Sequence, residues 1–180
     1  MGFVFETETT HRHGDLTGYI YMELRNLLKG SMATEKTILR QLSGGLSHWG
    51  EKFKGPISLI NLSDFDPTII EHLQIVEPDI MLFHEHEFVL GYACVAGFPD
   101  LVVEVWSDSN PKVEREMKHN LYTTSPITEH WYLTEYSSEM ECWIGNKRQP
   151  NKDLTKPITT AYGLQIDISD LFEDGYQKYQ

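Results

Sequence analysis

The sequence is short of cysteine, of basic residues and of long apolar runs, and each shortage closes off a class of protein. Its two cysteines, Cys94 and Cys142, stand apart from any CxxC or Cys/His spacing. That argues against a disulfide scaffold and a cysteine-built zinc site, and both thiols are expected as reduced, buried hydrophobes. No apolar stretch approaches the roughly 18 residues that a membrane span needs. The opening MGFVFETETTHRHGD lacks the basic and apolar segments of a signal peptide, so a cytoplasmic chain is expected. A P-loop, a dinucleotide-binding glycine fingerprint, a GxSxG elbow and an HExxH pair are all missing, and the enzyme classes they mark have no support. Fifteen Lys and Arg stand against 27 Asp and Glu, a formal net charge of −12. Phosphate backbones repel such a chain over long range. A nucleic-acid partner would require a local basic patch or bound cations.

What is present reads as one globular domain over residues 1–180, with 40% hydrophobic and 23% charged residues. Leu16, Ile20, Leu24, Leu27 and Leu28 recur at spacings of three and four, the stripe of a helix that starts at Asp15 as its N-cap and stops at Gly30. Gly2–Glu6 predicts a short strand, and residues 33–42 a second, weaker helix. Beyond Gly55 the period changes. Strands are predicted at Ile57–Leu62, His72–Val76, Asp79–Phe83, Phe88–Val95 and, most clearly, Leu101–Trp106. Asn110 and Pro111 then open a helix as its N-cap and first residue. It carries Val113, Met117 and Leu121 at i, i+4 and i+8 and stops before Pro126. His130–Tyr136 and Glu141–Ile144 form a hairpin, and a last strand over Gly163–Ile168 leads into an acidic tail. This order implies an α/β (α+β) domain with a central mixed sheet and helices packed on it.

Glu104 is the residue that asks for chemistry. In Leu101–Trp106 both alternating faces are otherwise apolar, the mark of a strand covered on both sides. A carboxylate there must be paired, protonated or metal-bound. A structural salt bridge would satisfy it alone. A second carboxylate, Asp79, opens its own strand after Pro78, and strands of one sheet can bring the two together. Two such carboxylates would repel without a cation between them, and hard oxygen ligands with open positions suit Mg²⁺ or Mn²⁺. Glu114, Lys118 and Tyr122 share one face of the following helix, with Arg115 beside it. An exposed Glu–Lys pair accounts for that spacing; so does a Lys118 that leans over the sheet and offers its ammonium to a phosphate or a nucleophilic water. His84 and His86, and likewise His11 and His13, have the i, i+2 spacing of a possible Zn²⁺ or Ni²⁺ pair. Without a third ligand they read as polar surface. Trp131, Tyr132, Tyr136 and Trp143 fall on the hairpin and are expected mainly in the core.

Taken in order, several pieces resemble the Uma-type restriction endonucleases, members of the PD-(D/E)XK nuclease superfamily. They are Glu77-Pro78-Asp79, Pro99 through Val105, Glu114-Arg115 with Lys118 and Tyr122, Glu129 through Leu133, and Gly163-Leu164 to Leu171-Phe172. The resemblance spans residues 57–172. It implies a restriction-endonuclease-like fold, a mixed β-sheet flanked by helices, with Asp79 and Glu104 holding Mg²⁺ or Mn²⁺ and Lys118 as the catalytic cation. Asp100, which also follows a proline, is a turn residue by this resemblance. The lysine expected two positions after the glutamate is replaced by Trp106, and Lys118 is the natural substitute. Relatives carry a further acid near the N-terminus; Glu6 and Glu23 compete for that place here, Glu6 ahead, and His13 borders the site. The implied activity is metal-dependent hydrolysis of nucleic-acid phosphodiester bonds, DNA foremost, by a possible homodimer. A non-catalytic binding or interaction module on the same fold is the alternative, and the missing lysine and the net charge of −12 favour it.

Overall fold

A computed structural model of the chain describes residues 11–30, 36–40, 46–47, 74–76, 78–84, 88–90, 95–97 and 99–172. The expected strands at Gly2–Glu6 and Ile57–Leu62, together with Glu6, His86, Cys94 and the acidic tail, lie outside these residues. Two α-helices are described, α1 (His11–Gly30) and α2 (Lys112–Thr124), with a short 3-10 turn at Ser169–Leu171. The strands are β1 (Lys36–Arg40), β2 (Leu46–Ser47), β3 (Gln74–Ile75), β4 (Ile80–His84), β5 (Phe88–Leu90), β6 (Val95–Gly97) and β7 (Leu101–Trp106). After α2 come β8 (Glu129–Thr134), β9 (Glu139–Ile144), β10 (Lys147–Arg148), β11 (Lys152–Asp153), β12 (Ile158–Thr159) and β13 (Gln165–Ile166).

The main sheet runs β1-β4-β7-β8-β9-β10, with β11 also pairing with β9. All its neighbours are antiparallel except β7 and β8, which run parallel with Leu101 opposite Glu129 and Trp106 opposite Thr134. A parallel pair needs a crossover, and α2 is that crossover. It covers one face of β7. Val102, Trp106, Leu121, Tyr122, Ile127 and Tyr132 pack together there. The opposite face packs Leu101, Val103 and Val105 against Leu16, Ile20 and Leu24 of α1, with Ile80, Leu82, Trp131 and Leu133 beside them. Every residue of β7 is buried, as expected for an apolar strand covered on both faces. The expected fold class, a mixed sheet flanked by helices, is the one observed.

Several expectations need correction. Residues 33–42 do not form a helix: Lys36–Arg40 is strand β1, paired with β4 from Lys36↔His84 to Arg40↔Ile80. β-branched Thr37 and Ile38 suit a strand, and the sheet edge outweighs a weak helical pattern. Helix α1 begins at His11, four residues before Asp15, so Asp15 is not its cap. Tertiary contacts extend that end: Arg12 Nε donates to the Glu135 carbonyl at 2.7 Å, and His13 meets Asp79. The apolar run Phe88–Val95 is not one strand. β5 and β6 pair with each other, Phe88 opposite Gly97. At α2 the cap is Pro111, while the Asn110 side chain accepts from the Ser107 amide at 2.8 Å. The expected strand at Gly163–Ile168 shrinks to Gln165–Ile166, paired with β12. Of the hairpin aromatics, Trp131 and Tyr132 are buried, Trp143 is partly buried, and Tyr136 is 67% exposed.

Candidate active site

The site forms where β4, β7 and the two helices meet. Antiparallel pairing sets Ile80 opposite Val103 and Met81 opposite Val102. One further step along that register brings Asp79, just before β4, opposite Glu104. The Asp79 carboxylate is anchored: its Oδ2 accepts from the Val105 amide at 2.7 Å, and its Oδ1 lies 3.2 Å from His13 Nε2. Side chains alternate along a strand, so Glu104 shares the α2-covered face with Val102 and Trp106. It is 1% exposed. From α2, Tyr122 donates its hydroxyl to Glu104 Oε1 at 2.5 Å and Lys118 places Nζ 3.0 Å from Oε2. Lys118 also lies 3.5 Å from Glu114 Oε1, one helical turn earlier. The exposed Glu–Lys pair that spacing alone allows is therefore not what forms. Glu114 is buried and the Lys118 side chain is 13% exposed.

The electrostatics follow from this burial. Loss of water pushes the Glu104 carboxyl up to about 7, helped by the charge of Asp79 and opposed by Lys118 and Tyr122. For Lys118, burial alone would favour the neutral amine, but the Glu104 carboxylate more than offsets it and the ammonium is held above its ordinary range. His13 is raised above 6.5 by its hydrogen bond to Asp79, against the opposing effect of burial. Burial and the neighbouring Glu104 charge hold the Tyr122 hydroxyl protonated, well above its ordinary value, so it serves as a donor.

The donor set can be tested against a divalent cation. Among the described residues, no three His, Cys, Asp or Glu side chains gather as a ready ligand cluster. Two carboxylates from neighbouring strands are nonetheless the kind of set that holds Mg²⁺, which keeps several waters and takes only one or two carboxylates from the protein. The charge of Asp79 adds to what raises the Glu104 carboxyl, and a cation between the two would relieve it. The residues fit Mg²⁺ or Mn²⁺ in donor chemistry.

The structure thus brings together Asp79, Glu104, Lys118 and His13. Glu23 sits ten residues beyond His13 on α1, about 15 Å along the axis, beside Tyr19 rather than the carboxylates. Asp100 lies at the other end of β7, where its Oδ1 accepts from the Tyr162 hydroxyl at 3.1 Å and its amide donates to the Leu82 carbonyl at 2.6 Å; it is a junction residue, as expected. His11 is exposed. The sequence puts His13 only at the border of the site and does not reveal that Glu114 is buried or that Trp106 meets Lys118. Alternation along β7 puts Trp106 on the face of Glu104, and that was the available signal.

No protein-family model matches this chain, and no curated protein matches it. Among solved structures it is similar to a crystal structure from Anabaena variabilis, described as a "putative nuclease belonging to DUF820", with a TM-score of 0.66 and 11% sequence identity over 94% of this chain and 84% of that one. At that identity the likeness is one of fold: an α+β architecture shared with a nuclease-like chain.

Proposed function

We propose that this chain is a Mg²⁺- or Mn²⁺-dependent phosphodiesterase acting on nucleic acid, DNA foremost, of the Uma-type restriction endonuclease kind. The observation that carries the reading is the meeting of Asp79, Glu104 and the Lys118 ammonium from three separate elements at one buried point. A structural salt bridge needs only one carboxylate. Here a second is brought alongside and adds its repulsion to the larger effect of burial on Glu104, which makes sense at a site built for a cation. The fold shared with a nuclease-like chain agrees with this reading.

Asp79 and Glu104 would hold the ion, which supplies Lewis acidity toward the phosphodiester and a water of lowered pKa. The chain's own residues do the rest. The Val105 amide and His13 orient Asp79, and Tyr122 orients Glu104. Lys118, tethered by Glu104 and Glu114, presents a fixed positive charge to the developing negative charge at phosphorus or on the leaving oxygen. A homodimer would present two such sites to the two strands of a duplex.

The test is cleavage of labelled single- and double-stranded DNA and RNA in Mg²⁺ or Mn²⁺. Asp79→Asn and Glu104→Gln should each lower kcat by about 10³-fold or more, and Lys118→Met by about 10²-fold, with folding intact by circular dichroism. Undiminished cleavage by purified Asp79→Asn or Glu104→Gln would refute the assignment. Metal-dependent nucleic-acid binding without turnover in the parent would point to the non-catalytic module instead.

A further inference from the structure

Trp106 occupies the position two residues after Glu104, on the same face of β7. It is 7% exposed, and its ring meets two cations of α2. Lys118 Nζ lies 5.3 Å from the ring centroid and the Arg115 guanidinium carbon 5.7 Å away, both within cation–π range. Tyr132 lies nearly parallel to the indole, with centroids 5.8 Å apart and planes 10° apart. Arg115 also donates to the Ser107 carbonyl, directly after Trp106. The ring is thus held by its neighbours, and it offers the Lys118 ammonium a fixed face. A lysine side chain has on the order of 2 kcal/mol of rotamer freedom to lose. Glu104 and Glu114 hold the ammonium from the carboxylate side at 3.0 and 3.5 Å, and the indole face bounds it on another.

We propose that Trp106 is a positioning residue whose indole face seats the Lys118 ammonium beside Glu104. A lysine at 106 would bring its charge from the strand; the indole instead fixes a charge delivered from the helix. The inference rests on reading Asp79, Glu104 and Lys118 as the reactive site, but the seat can be measured without turnover. Arg115, sharing the same ring, steadies the seat and does not touch the carboxylates in the described contacts.

The experiment compares the full chain with Trp106→Leu and Trp106→Phe, using ¹³C-labelled lysine and DNA cleavage in Mn²⁺. In the parent, the Lys118 ε-methylene signal, assigned by its loss in Lys118→Arg, should be displaced upfield by the ring current. In Trp106→Leu it should return to the ordinary lysine position. Cleavage by Trp106→Leu should fall about tenfold in kcat with KM within about twofold. Trp106→Phe, which keeps a ring, should recover most of both readouts. An undisplaced Lys118 signal in the parent would overturn the seat. So would Trp106→Leu cleaving like the parent, or Trp106→Phe behaving no better than Trp106→Leu. Should Trp106→Leu fail to fold, Trp106→Phe must show a reduced but persistent displacement, and its loss would count against the seat. Should the parent not cleave at all, the nuclease reading fails by itself, and the Lys118 signal decides the seat alone.

Discussion

At Glu104, burial and charge pull against each other. Its carboxyl is raised from 4.5 to about 7, so between those values the folded chain binds protons that the unfolded chain has released. Stability therefore falls as pH rises through that window, by up to about 3 kcal/mol. Glu104→Gln removes the ionisation. Its melting temperature relative to the parent should shift in the variant's favour from pH 5 to pH 8; a difference that stays constant would show that Glu104 carries no such penalty. His13 runs the same way with pH, here through a favourable contact rather than a burial penalty. Its value is raised above 6.5 by Asp79, so its contribution is complete below pH 6.5 and fades as pH climbs through the folded value. His13→Gln should accordingly cost more stability at pH 6 than at pH 9 in urea titrations. On the proposed reading, a cation held by Asp79 and Glu104 would relieve part of the Glu104 penalty. At pH 8, Mn²⁺ at about 100 times its dissociation constant should stabilise the parent by about 2.7 kcal/mol. Asp79→Asn and Glu104→Gln should show little of that gain, and an equal gain in both would remove these carboxylates as ligands.

At the scale of the element, α2 is turned about its axis relative to its sequence pattern. Val113, Met117 and Leu121 have the spacing of a core stripe, yet Val113 is 56% and Met117 43% exposed, and only Leu121 is buried. Glu114, Lys118 and Tyr122 turn inward instead. Apolar periodicity identifies a face, but which face is buried depends on what the sheet offers beneath it, and here β7 offers a carboxylate. Val113→Thr and Met117→Gln should each change stability by no more than about 0.5 kcal/mol, whereas Leu121→Ala should cost about 2–3 kcal/mol. Chemical denaturation separates the two cases, and equal costs would put the stripe back in the core. The elements legible in sequence were those whose burial is uniform: β7, apolar on both faces but for Glu104, and α1, whose Leu16, Ile20 and Leu24 are all buried as their spacing predicts. β1 was misread because a short edge segment takes its conformation from its neighbour β4 more than from its own propensity.

For the whole molecule, a net charge of −12 has to be reconciled with the anionic substrate proposed above. Lys147, Arg148, Lys152 and Lys156 fall within ten residues of one another, and the first three lie on β10 and β11, which both pair with β9 at the sheet edge away from β1. Arg148 is partly neutralised by Glu141 at 3.4 Å. With nucleic acid as the proposed substrate, this edge offers positive charge to flanking phosphates. Lys147→Glu combined with Lys152→Glu should raise KM for duplex DNA with kcat within about twofold. The slope of log affinity against log salt should become shallower by about one for each phosphate that is no longer neutralised. An unchanged slope would remove the edge from the binding surface.

The sequence by itself determined that Glu104 would be a buried carboxylate, because a strand apolar on both faces leaves such a side chain no route to water. It also determined that Lys118 and Tyr122 would share a helix face, because their spacing repeats the helical turn. Only the tertiary structure decided that this face points inward, that His13 comes from α1 to meet Asp79, and that Asp79 stands opposite Glu104. These contacts join residues tens of positions apart, and their geometry is set by strand register and by the α2 crossover between β7 and β8, which no local pattern encodes.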